Sequence, residues 1–115
     1  MSRDSALLLD ILLAARDAVG FVEEMDRDAF LGDRRTQYAV IRCLEVIGEA
    51  GKKVSPGIRS GLADVPWTQM ARTRDLLIHS YAKVDGAEVF LTVRRDLPAL
   101  IAALEPLGLE ESGQA

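Results

Sequence analysis

The stretch RDLLIHSY, residues 74 to 81, places an arginine, the chain's single histidine and a tyrosine within eight positions. Histidine is the side chain best suited to moving protons near neutral pH, so His79 is a candidate general base or acid. Arg74 supplies a permanently charged, forked donor that can stabilise the extra negative charge of a phosphorane-like transition state. Asp75 precedes His79 by one helical turn, where its carboxylate can accept a hydrogen bond from one ring nitrogen and fix the tautomer. Tyr81 adds a hydroxyl. These groups are of the right types to cleave RNA without a metal: a base removes the ribose 2′-hydroxyl proton, the freed oxygen attacks the adjacent phosphorus, and an acid protonates the leaving oxygen. The residues alone leave a plainer reading open. A histidine beside LLI is commonly a hydrogen-bonded structural residue, Tyr81 a buried aromatic with a polar end, and Arg74 a surface ion-pair partner.

Helical geometry limits what one copy of this stretch can do. At about 100° per residue Arg74 and His79 stand about 140° apart around one helix, whereas Arg74 and Tyr81 nearly coincide. Either the helix unwinds near His79 or two copies of the motif share one cleft, the second histidine then serving as the complementary acid or base.

Other chemistries fit poorly. Cys43 and His79 lie 36 positions apart and give no metal-ligand spacing, so no metal site and no cofactor is expected. GEAGKKVS lacks the spacing of a phosphate-binding loop and ends a helix instead of following a strand. Nothing resembles the strained nucleophile turn of a serine hydrolase. Cys43, within the apolar run AVIRCLEVIG, reads as a core thiol in a reducing compartment.

Four principal helices must carry these groups. The first runs from about Ser5 to Met25, with Leu8, Leu12, Ala15, Val19 and Val22 along one face, and the turn-prone EEMDRDAFLGD follows. Asp33 can cap a second helix reaching about Val54, with Val40, Leu44, Ile47, Gly51 and Val54 on one side. Gly48 and Gly51 each cost roughly 1 kcal/mol against alanine in a helix, which implies close backbone approach to a neighbouring helix, internal or from a second protomer. SPGIRSGLADVP reads as a loop with a short helical turn at its centre, and a third helix from about Pro66 to Tyr81 carries the motif. Asp85-Gly86 marks a turn, after which Val89, Val93, Leu97, Leu100, Ile101 and Leu104 predict a fourth helix, kinked or restarted at Asp96-Leu97-Pro98. The expected fold is all-α: an antiparallel helical bundle forming a single domain over residues 1–109, with 110–115 as a frayed tail.

Bulk properties bound the function. With 49% hydrophobic and 28% charged residues the 115-residue chain should bury a real core without disulfides. Asp10 interrupts the apolar N-terminal stretch, and no window approaches the ~18 uncharged residues of a membrane span, so the expectation is a cytoplasmic protein with no membrane contact. Fourteen basic against eighteen acidic residues give a net charge of −4, a field that repels RNA and leaves any affinity to local clusters. Arginines gather at Arg34, Arg35 and Arg42, at Arg72 and Arg74, and at Arg94 and Arg95. Arg42, Glu45 and Glu49 are expected to pair along the second helix and not to line a cleft.

The spacing Arg74, four residues, His79, one residue, Tyr81 matches the R-x-x-x-x-H-x-Y motif of the HEPN superfamily. The flanks resemble its HepT-like branch: IGEAGKKVSP its characteristic helix end, VPWTQMARTRDLLIHSYAKVD its motif helix, and VFLTVRRDLPAL its last helix. The resemblance implies an all-α homodimer and a metal-independent ribonuclease, the toxin of a toxin–antitoxin pair. It makes Arg74 and His79 the catalytic residues. Asp75 stands where asparagine is frequent. Tyr81 would accept AMP from ATP through an MntA-like minimal nucleotidyltransferase antitoxin, adding charge and bulk that repel RNA phosphate. The competing expectation, favoured by the net negative charge, is a non-catalytic binding module acting as partner subunit of a nucleotidyltransferase.

Overall fold

The computed structural model describes residues 2–79 and 84–109. Helix α1, Arg3–Phe21, starts at Ser2, whose hydroxyl accepts the Ser5 amide. Helix α3, Arg34–Lys53, starts in the same way at Asp33, whose carboxylate takes both the amide and the hydroxyl of Thr36 and is held below the usual carboxylate range by them. Of the apolar face expected on α1, Leu8, Leu12, Ala15 and Val22 are buried and Val19 packs at its edge; Val40, Leu44 and Ile47 of α3 are buried against it.

Between them lies a difference from expectation. The segment read as a plain turn holds a five-residue helix, α2, Arg27–Leu31, capped by the Asp26 carboxylate on the Ala29 amide at 2.8 Å. It drives Phe30 into the core, fully buried, with its ring 5.4 Å from that of Phe90. The short helix α4, Pro56–Gly61, matches the helical turn expected within the loop. Ser55 ahead of it donates its amide and hydroxyl to Asp4 at 2.9 and 2.6 Å, fastening the end of α3 to the start of α1.

Helix α5, Trp67–His79, packs on α3. The last helix begins as α6, Gly86–Leu91, capped by Asp85, and continues through a π turn, Thr92–Asp96, into α7, Leu97–Leu104. The expected irregularity at Asp96-Leu97-Pro98 therefore takes a definite form. Pro98 has no N–H and its ring collides with a carbonyl one turn back; the wider turn, in which the Leu97 amide reaches the Thr92 carbonyl, accommodates it. Val93, Leu97, Leu100 and Leu104 still face the core, so the rod keeps its apolar side through the change of winding. Arg94 is structural: its guanidinium lies 5.0 Å from the Phe90 ring centroid and donates to the carbonyls of Val22 and Met25, which close the end of α1.

The described residues form an all-α bundle in which α3 sits between α1 and α5. No helix among them is long and apolar enough to cross a membrane. Cys43 is buried, and burial pushes its thiol upward in pKa, as a core residue. The proposed tail at 110–115 lies outside the described residues.

Candidate active site

Helix α5 begins where Pro66 ends the preceding loop: the Met70 amide bonds the Pro66 carbonyl at 3.0 Å, while the Trp67 indole donates to the Leu62 carbonyl at 3.1 Å and pins the loop to the helix. Met70 and Leu77 are buried on its inner side. Gly48 of α3 lets this side come close. A Cβ placed on Gly48 would stand 2.2 Å from the Arg74 Cβ and 2.6 Å from the Met70 carbonyl oxygen, and one on Gly51 would stand 3.2 Å from the Met70 terminal methyl. The helix approach expected from the two glycines is thus internal, and the residue resting on the gap is Arg74.

Arg74 is 25% exposed; its alkyl stem covers Gly48 and its Nη1 donates to Asp75 Oδ1 at 3.1 Å. The same oxygen accepts Lys52 Nζ at 2.8 Å. First the Lys52 and then the Arg74 hydrogen bond hold the Asp75 carboxyl below the usual carboxylate range. The expected Asp75–His79 hydrogen bond is not formed: the carboxylate turns instead to two cations, with which its bonds are charge-assisted. Lys52 is the site residue that sequence reasoning missed. The signal was available, because Lys52 follows Gly48 by one helical turn and so shares the face on which α5 rests.

His79 closes the described part of α5 and is exposed. The helix stays regular from Arg74 to His79, which removes unwinding between the two as a way of uniting them. It therefore brings together Arg74, Asp75 and Lys52, while His79 shares the outer face with Arg72 and with Leu76, which is 60% exposed. Tyr81 lies outside the described residues. Arg42 pairs with Glu45 at 3.5 Å and Glu49 with Lys53 at 3.6 Å, pairing along α3 as expected.

The charge network carries a pH prediction. A carboxyl whose folded pKa is depressed contributes stability that is present above its unfolded pKa and is lost as pH falls through the folded value. Urea midpoints of the wild type and Asp75→Asn should accordingly differ at neutral pH, begin to converge as pH falls below about 4, where an unperturbed carboxylate protonates, and meet only below the depressed folded value.

Comparison with known proteins decides the family. A family model described as Ribonuclease HepT-like matches residues 11–107. The chain belongs to the ribonuclease HepT-like family. The HepT-like chain is 41% identical over 102 residues to "Probable ribonuclease HepT" of Thermococcus cleftensis, covering 85% of this chain and 93% of that one. It is 40% identical over 102 residues to "Putative RNase MJ0125" of Methanocaldococcus jannaschii, covering 89% and 88%. A second protein of that organism, "Putative RNase MJ0127", is 39% identical over 109 residues, covering 95% and 90%. No solved structure gives a significant match.

Proposed function

We propose that the HepT-like chain is an endoribonuclease toxin that acts as a homodimer, cleaves RNA without a metal, and is silenced when an MntA-like nucleotidyltransferase antitoxin transfers AMP to Tyr81. Family membership supports the reaction class, since the relatives are named as ribonucleases. The observation that carries the reading is the Arg74 guanidinium. It is half-buried, anchored through one Nη on Asp75, and makes no other hydrogen bond to a described residue, and the reading assigns its second Nη to the phosphate.

In the proposed reaction His79 accepts the 2′-hydroxyl proton, the 2′-oxygen bonds to phosphorus, and the bond to the 5′-oxygen breaks. The 5′-oxygen leaves with a proton from the partner's His79, and the products are a 2′,3′-cyclic phosphate and a 5′-hydroxyl. Arg74 neutralises the charge that develops on the non-bridging oxygens, and Asp75 acts by holding Arg74. Two protomers are required because Arg74 and His79 point about 140° apart on one regular helix. The exposed Leu76, beside His79 on that outer face, supplies apolar surface for the second copy.

Subunit mixing tests the shared site. Because the shared cleft uses His79 of both protomers, His79→Ala should poison the wild type after subunit exchange, and the rate should fall with the square of the wild-type fraction. A rate that falls only in proportion to the wild-type fraction, although mixed dimers are seen by native mass spectrometry, would show that each protomer works alone. Exposure to the antitoxin with ATP should add one adenylate to the intact mass of the wild type and none to Tyr81→Phe.

A further inference from the structure

Beside Arg74, on the side of α5 facing α4, a groove of about 440 Å³ is walled by Lys52, Arg59, Trp67, Thr68, Arg72 and Asp75. Three cations face one carboxylate there, and that carboxylate is already engaged by Lys52 and Arg74. Arg59 and Arg72 make no ion pair or hydrogen bond to any described residue. The Arg59 Nε is shielded from solvent and unpartnered. A guanidinium with no anionic partner keeps its full charge at the groove wall, and an incoming anion would neutralise it. Trp67, its indole fixed on the Leu62 carbonyl, gives the groove an apolar wall.

We infer that this groove binds the phosphate chain of single-stranded RNA flanking the scissile bond, with Arg59 and Arg72 as its phosphate contacts. The inference rests on the ribonuclease reading above and names where the strand lies. Three features favour a strand over a lone anion. The volume is in the range of sites for a nucleotide-sized ligand, far above that of one ion. The cations come from three helices, α3, α4 and α5, so they are spread along the groove. Asp75 belongs both to the groove and to the Arg74 anchor, so the groove adjoins the proposed site. It also answers the charge problem: a net −4 chain can hold RNA if its unpaired cations converge on one path.

The test is equilibrium binding of a 2′-O-methyl oligoribonucleotide, which cannot be cut, to the wild type, Arg59→Gln/Arg72→Gln and Arg27→Gln/Arg35→Gln across a salt series. The last removes the same charge from exposed positions away from the groove. Loss of two phosphate contacts should flatten the slope of log K against log salt by about 1.4, at about 0.7 per contact for single strands, in the groove variant alone. Equal slopes for the groove variant and the wild type would overturn the groove, and the ribonuclease reading would survive if the wild type still cuts unmodified RNA. A wild type that neither binds nor cuts would overturn both. Competition by AMP as strong as by an oligonucleotide of about ten residues would replace the strand with a single-phosphate ligand and also overturn the inference.

Discussion

Arg74→Lys is expected to cleave RNA about 10²- to 10³-fold more slowly than the wild type while folding almost as well. Lysine keeps the positive charge and most of the alkyl stem that covers Gly48, so packing and the net field change little. What disappears is the fork. In the wild type one Nη is held by Asp75 at 3.1 Å, and in the proposed reaction the other meets the phosphate, so anchor and active group would belong to one rigid plane. An ammonium is a single point that Asp75 and the substrate would have to share. Removing one preorganised donor from a transition state costs about 10²- to 10³-fold in rate. Single-turnover cleavage beside a urea titration checks both halves; a rate within a factor of a few of the wild type would remove Arg74 from the chemistry.

Gly48→Ala should be destabilised by about 1–3 kcal/mol and lose about 10²-fold in activity, against the helix-propensity trend. Propensity alone predicts a gain of up to about 1 kcal/mol, because alanine restricts the unfolded chain and suits a helix. Packing decides the other way: the new methyl meets the Met70 carbonyl oxygen at 2.6 Å and the Arg74 Cβ at 2.2 Å, and both are backbone or fixed to it. Helix α5 must move away from α3, and displacement of reacting groups by about 1 Å can cost 10²-fold. Two other glycines calibrate the effect. At Gly20 nothing lies within 4 Å of the added methyl, so Gly20→Ala should gain stability, whereas Gly51→Ala meets a flexible Met70 methyl at 3.2 Å and should fall between the two. Chemical denaturation of the three variants orders them; a stabilised Gly48→Ala would show that α5 is not seated closely on α3.

The helix faces were legible because amphipathic periodicity is a local property. Leu44 and Ile47 on α3, or Leu97 and Leu100 after the π turn, fall where a 3.6-residue repeat puts them. Pro98 likewise announced an irregularity, though not whether the rod would break or widen into a π turn. Five residues around Phe30 are too few to display a period, and their acidic, turn-prone surroundings hid α2, whose cap and buried ring only make sense once α6 supplies Phe90. The site divides in the same way. The spacing of Arg74 and His79 and the angle between them could be read directly, and Gly48 announced a close neighbour without saying which. The Lys52–Asp75 bond depends on how α3 and α5 cross, so a local pairing of Asp75 with His79 looked more natural than the long-range one that forms.

If His79 and Arg74 carry the proposed cleavage, an RNA oligonucleotide incubated in EDTA with the wild type and with His79→Ala will distinguish the two proteins. Intact mass is first used to establish that Tyr81 carries no adenylate. The wild type should leave 2′,3′-cyclic phosphate ends, and His79→Ala, folded by its denaturation curve, should leave the RNA intact. Unmodified wild type that does not cut, or a His79→Ala protein that cuts equally well, would overturn the proposed reaction.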